Sequence, residues 1–309
     1  MIKKINFYHS LIFFNFSIIL SAFGFLINNS FLIICLFLIL TVGISHGSLD
    51  NIKGKKLIRL LNVVSINNIK PIHIFYIGYV LISLSVILIW LIFPKSLLGV
   101  FLVIAAYHFG KEDAYFLEKE KKFYDEILYF LKGSAVIVSP LLFHKIETIL
   151  IFQSLNFNIS GVIYIDNIFL YILLVLSFFS NLFLFFNKNI ENSFILLIDF
   201  FSILILNYFL NPIAAFTLYF CFLHSVRHSF SLMFELNKNI KKGFVLFFKK
   251  ALPLTIITSL VFLITLFFLN NYNELNKSIY TVIFIGLASL TFPHILLEYL
   301  IEKNEKKRN

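Results

Sequence analysis

Long runs of Leu, Ile, Phe and Val alternate along the chain with short polar interruptions, and the runs lack the strict apolar/polar alternation of half-buried strands. Ten such runs, at roughly 11–27, 31–48, 73–93, 96–110, 126–143, 165–186, 193–210, 213–234, 251–269 and 279–301, predict ten helices. Most approach the ~20 apolar residues that a membrane-crossing helix needs, whereas a barrel would show alternating segments of about ten. The expected fold is therefore all-α, a polytopic membrane helical bundle of about ten transmembrane helices. Apolar runs recur almost to the C-terminus, so a cleaved signal peptide does not account for them. The longest polar connection, around 49–72, is too short for a soluble domain, and no repeat or low-complexity linker divides the chain. A single integral-membrane domain over 1–309 is expected.

Composition agrees with the pattern: 60% of the 309 residues are hydrophobic and 14% charged, with a mean hydropathy of +0.91. The net charge of +10 could suggest a nucleic-acid partner, but the positions of the 26 Lys and Arg follow topology instead. With the N-terminus cytoplasmic, 21 of them fall in inside segments, Lys53, Lys55, Lys56 and Arg59 among them, and only Lys95, Lys145 and Lys277 fall outside. That asymmetry predicts both termini cytoplasmic in a multi-pass protein of the cell (inner) membrane, with membrane lipid as its surroundings and no nucleic acid. Cys35 and Cys221 lie inside apolar runs and read as small core hydrophobes. The 41 Phe accompany a general Ile, Asn and Lys bias and carry little information about a pocket.

Ionisable side chains inside hydrocarbon are costly unless paired or functional. His9, His73 and His144 sit at expected helix ends near water. His46, His108, His224, His228 and His294 lie within the second, fourth, eighth and tenth runs, which all traverse the membrane in the same sense. Counted from the outer end of its run, each is 11 to 15 residues deep, or about 16–23 Å at the helical rise. Taken singly, a membrane histidine is more often an interhelical hydrogen-bonder; five at one depth suggest a metal site. His224 and His228 are four residues apart, on one helical face. Imidazole suits zinc, copper, iron and nickel alike, so the histidines do not name the metal. Four imidazoles around octahedral Fe(II) would leave two adjacent positions open.

Carboxylates stand close by in sequence. Asp50 is i+4 from His46, Glu112 is i+4 and Asp113 i+5 from His108, and Glu298 is i+4 from His294. Each could accept the second ring N–H of a histidine, or could simply mark a helix end at the interface. Asp199 and Arg227 lie within spans at similar depth and are expected to pair, away from the metal.

Four segments carry a resemblance: GISHGSLD at 43–50, YHFGKED at 107–113, YFCFLHSVRH at 219–228 and FPHILLEY at 292–299. In order and spacing they resemble the Brp/Blh family of membrane β-carotene oxygenases, over roughly residues 40–300. The resemblance implies cleavage of the central double bond of β-carotene to two all-trans-retinals with dioxygen and non-haem Fe(2+). It makes His46, His108, His224 and His228 the catalytic iron ligands and puts His294 in the family's PH segment; beside it, Asp50, Asp113 and Glu298 are the candidates that sequence proximity offers for supporting the ligands. It also implies a retinal-binding rhodopsin as recipient of the product. Ser45 departs from the family pattern, which more often has proline before the first histidine. Rival readings are a di-iron membrane hydroxylase or desaturase, which would need further HxxHH clusters that the sequence lacks, and a histidine-based transporter or haem carrier.

Overall fold

The computed structural model describes residues 2–23, 31–45, 47–63, 69–114, 124–155, 166–188 and 190–307, without side chains at 185–193. They form α1 (Ile2–Ala22), α2 (Phe31–Thr41), two 3₁₀ turns (Gly43–Ser45 and Gly47–Leu49), α3 (Asp50–Leu60), α4 (Pro71–Ile92), α5 (Pro94–Ala114), α6 (Asp125–Phe143), α7 (Lys145–Ser154), α8 (Asn167–Lys188) and α9 (Ile190–Phe209). Then come α10 (Pro212–Leu218), a π-helical segment (Tyr219–Ser225), α11 (Val226–Leu236), α12 (Ile240–Asn270) and α13 (Leu275–Lys306). No β-strand occurs among the described residues.

Among the described residues, seven helical stretches are long and apolar enough to cross a membrane by length and composition: Ile2–Ala22, Phe31–Leu60, Pro71–Ile92, Asp125–Phe143, Asn167–Leu184, Ile240–Asn270 and Leu275–Lys306. Their burial is inverted relative to a water-soluble bundle. Leu81, Leu84, Leu88 and Leu91 on α4, and Ile257, Leu260, Ile264 and Phe267 on α12, are exposed along one face at helical spacing. Asp50, Asp113, Asp199, Lys132 and Arg227 are buried. Continuous apolar faces of this size suit contact with lipid and not with water, and the charged interior must then be paired within the protein.

Several boundaries differ from the expectation for physical reasons. Helix α1 begins at Ile2 and not near residue 11, because Asn6, Ser10, Ser17 and Ser21 share its buried face, so polar residues that look like a tail point into the bundle. The second run ceases to be α-helical at Thr41 and continues through the two 3₁₀ turns. The polar connection after it contains α3, which buries Asp50, Gly54 and Leu57 at i, i+4 and i+7. Helix α7 occupies the expected connection between the fifth and sixth runs and buries Thr148, Ile149, Ile151 and Phe152. Prolines open α4, α5 and α10, where the missing N–H costs nothing; at α10 the Asn211 side chain also accepts from the Ala214 N–H at 2.9 Å.

Helices α5 and α6 cross closely. A Cβ added at Gly110 would lie 1.8 Å from the Tyr129 carbonyl oxygen, and one at Gly133 would lie 1.8 Å from that of Ala106. Only glycine lets the two backbones approach so far. The crossing sets the depth of His108, Glu112 and Asp113 on α5 against Lys132 on α6.

Candidate metal centre

His108 on α5, His224 in the π-segment, His228 on α11 and His294 on α13 converge inside the bundle. The His108 ring centroid lies 5.4 Å from that of His224 and 5.4 Å from that of His294, and His228 lies 6.1 Å from His294. His108, His224 and His294 are no more than 5% exposed. Residues 219–225 make i→i+5 turns and α-helix resumes at Val226, so His224 sits at the end of a wider turn than its partner His228. Segments of this kind recur where a side chain is re-aimed at a functional site. His46, expected as the first ligand, lies outside the described residues; the Ser225 hydroxyl donates to the Gly43 carbonyl at 2.8 Å and ties the chain just before it to the π-segment.

Each of three imidazoles meets a carboxylate at Nδ1. His224 donates to Asp113 Oδ1 at 3.0 Å, His228 Nδ1 lies 2.8 Å from Glu112 Oε2, and His294 Nδ1 lies 2.9 Å from both oxygens of Asp50. A proton held on Nδ1 by a carboxylate makes Nε2 the basic nitrogen and fixes the ring plane. The partners differ from those suggested by sequence proximity. Asp113 and Glu112, close to His108 in sequence, serve His224 and His228 across the helix crossing, and Asp50 serves His294 on α13. Side chains on one face of a helix all project toward the neighbouring helix, so the nearest imidazole is the one opposite. Glu298 does meet its i+4 neighbour, with Oε1 3.5 Å from His294 Nε2.

His294 therefore has the same construction as His224, a carboxylate on Nδ1 and a ring against His108. Four further residues at the site were not singled out from sequence. Lys53 Nζ donates to Glu298 Oε1 at 2.5 Å and lies 3.4 Å from His228 Nε2; in the sequence it is one of a run of inside cations. Tyr219 donates its hydroxyl to Asp113 Oδ2 at 2.8 Å, and Tyr79 donates to Asp50 Oδ2 at 2.8 Å. Lys132 Nζ is 3.9 Å from Asp113 Oδ2. A lysine in the middle of an apolar run needs an anion nearby, which is the signal that points to it. The expected Asp199–Arg227 pair is present and bidentate, at 2.5 and 3.0 Å, and Arg227 also donates to Ser10 Oγ at 2.6 Å and to the Asp113 carbonyl at 3.3 Å. His9, expected near water, lies against the π-segment, its Nε2 2.8 Å from the Phe222 carbonyl, because α1 starts a full two turns earlier than expected.

Donor atoms of His108, His294 and Glu298 lie within 4.8 Å of one another, as do those of Glu112, His228 and Glu298. Buried imidazoles with oriented rings and adjoining carboxylates form a donor set that fits a divalent transition ion, iron included.

The model of the family described as Beta-carotene 15,15'-dioxygenase matches residues 37–302, which takes in every one of these side chains except His9 and Ser10. A relative from Uncultured marine bacterium 66A03, named Beta-carotene 15,15'-dioxygenase, is 26% identical over 272 residues, covering 84% of this chain and 90% of its own. No solved structure matches.

Proposed function

Because the chain belongs to the β-carotene 15,15'-dioxygenase family, we propose that it cleaves the central double bond of β-carotene with dioxygen, giving two all-trans-retinals. The observation that carries this reading is the cluster of buried imidazoles, each of three backed by a carboxylate, inside an apolar-surfaced bundle. The proposed cofactor is Fe(2+), held by His46, His108, His224 and His228, with His294 drawn into the same set by its Asp50 contact and its 5.4 Å approach to His108. Bound iron would supply the reactivity toward dioxygen that no amino-acid side chain has.

The chain's own residues do the rest. Asp113, Glu112 and Asp50 hold the Nδ1 protons and orient the rings. Arg227 is neutralised by Asp199 and so adds no uncompensated positive charge beside the cluster. Phe109 and Phe220 border His224, at 4.9 and 5.9 Å between ring centroids, and exclude water on that side. β-Carotene dissolves in bilayers, so it reaches a site of this kind laterally between helices, without an aqueous channel. The proposed location is the cell (inner) membrane, and a retinal-binding rhodopsin is a chemically fitting recipient for the apolar aldehyde released there.

Expression in β-carotene-producing cells tests the reading. The orange colour should fade as retinal accumulates, and His108→Ala or His228→Ala at matched expression should keep the cells orange. His73→Ala and His144→Ala should still bleach them, since His73 is exposed and His144 faces Glu147 away from the cluster. Cells that stay orange with the wild-type chain correctly inserted would overturn the proposal. For the metal, purified protein should carry one iron per chain, lose activity to a chelator and regain it with Fe(II). Stoichiometric zinc with chelator-resistant activity would contradict the iron assignment.

A further inference from the structure

Helix α1 lies outside the part of the chain that carries the family match, yet it holds the segment bearing His224 and His228 at two points. The half-buried His9 ring places Nε2 2.8 Å from the Phe222 carbonyl oxygen in the π-segment. A carbonyl only accepts, so Nε2 carries the proton and donates; Nδ1 is buried and meets no hydrogen-bond partner among the described residues. One residue further along α1, the Ser10 hydroxyl accepts from the Arg227 guanidinium at 2.6 Å. Phe222 comes two residues before His224, and Arg227 immediately precedes His228. The two contacts therefore bracket the histidine pair.

The first contact falls where the helix is irregular. In an α-helix the Val226 N–H would bond the Phe222 carbonyl, four residues back; here it bonds the Leu223 carbonyl, three back. His9 supplies the Phe222 oxygen with a donor from outside the helix, and side chains that enter the backbone ladder in this way bend or widen it. Ring packing holds the imidazole in place: His9 meets Phe230 edge-on at 5.8 Å, and two turns along α1 Phe16 meets Phe222 edge-on at 5.5 Å. The widened turn has a consequence at the cluster. Tyr219 and His224, five residues apart, both donate to Asp113, at 2.8 and 3.0 Å. On an α-helix they would stand about 140° apart; turns closed between i and i+5 bring them to one side.

We propose that His9 is a positioning residue of the metal centre. Its N–H on the Phe222 carbonyl stabilises the π-turn that lets Tyr219 and His224 share Asp113, and so fixes the direction of the His224 ring. Ser10 steadies the His228 side through Arg227. This rests on the reading of the histidines as metal ligands and adds what aims two of them.

Two substitutions separate the donor from the packing. His9→Gln keeps an N–H at similar reach and loses the ring, whereas His9→Phe keeps the ring against Phe230 and loses the N–H. The full chain in detergent is loaded with Co(II), whose visible absorption reports ligand geometry, and hydrogen exchange of the 219–228 amides is followed by mass spectrometry. His9→Phe should bind Co(II) about tenfold more weakly, the scale of a lost supporting contact around a metal ligand, with a shifted absorption band and faster exchange in 219–228. His9→Gln should match the wild type in all three. The opposite order of the two variants, or wild-type exchange or an unshifted band in His9→Phe, would overturn the proposal. Ser10→Ala leaves Arg227 its Asp199 pair and should show the same changes more weakly; if His9→Phe folds poorly, wild-type behaviour of Ser10→Ala in all three measurements overturns the proposal instead. A wild type that takes up no Co(II), with exchange in 219–228 still faster in His9→Phe, would count against the metal centre and leave the α1 contacts standing.

Discussion

Asp113 is held from several directions at once: it accepts from His224 and Tyr219, faces Lys132 at 3.9 Å and is 2% exposed. Asp113→Asn keeps the volume but weakens the basicity of the His224 ring, and should lower iron affinity or retinal formation by about 10–100-fold. It also strands the Lys132 ammonium, so part of the loss should appear as lower folded yield. Adding Lys132→Met should recover the yield and leave the iron defect, which separates the two roles; full recovery of iron affinity would deny Asp113 any part in orienting His224. The Asp199–Arg227 pair is a purely structural counterpart. Asp199→Ala leaves a buried guanidinium uncompensated and should cost about 3–5 kcal/mol, read as a fall in thermal midpoint in detergent. At this scale the sequence exposes the histidines clearly, since an ionisable group in an apolar run has few reasons to be there. It does not expose their partners. Spacing along a helix measures distance on that helix, whereas Asp50, Glu112 and Asp113 find their imidazoles across crossings, and Lys53 looks like any other interfacial cation until α3 is folded against α13.

Among the elements, the α5–α6 crossing governs the site most directly, because one helix carries His108, Glu112 and Asp113 and the other Lys132. Gly110→Ala would place a methyl 1.8 Å from a backbone oxygen that cannot rotate away, so the helices must separate. Overpacking of this kind costs at least about 1–3 kcal/mol, and iron content should fall with stability. Gly99→Ala on the same helix meets nothing within 4 Å and should be neutral or slightly stabilising through helix propensity. Similar melting points for the two variants would show that the crossing is looser than described. The long helices were readable because a run of ~20 apolar residues has almost no alternative to crossing a bilayer. Helices α3 and α7 were not, being short, partly polar and defined by what they pack against. The 3₁₀ turns after α2 and the π-segment were equally hidden, since both arise from the fit of backbone to neighbours, as where Gly43 meets Phe220 with no room for a Cβ.

Among the described residues, the long helices expose apolar faces and the buried ions face one another, with the histidine cluster inside that ionic core. Such an arrangement suits a substrate that is itself soluble in lipid, and it makes the reaction the decisive property. The most direct measurement is the product ratio from purified, iron-loaded protein given β-carotene. Central cleavage predicts two retinals formed for each β-carotene consumed, with no longer aldehyde. Unequal fragments, or β-carotene left intact by iron-loaded protein, would contradict the account.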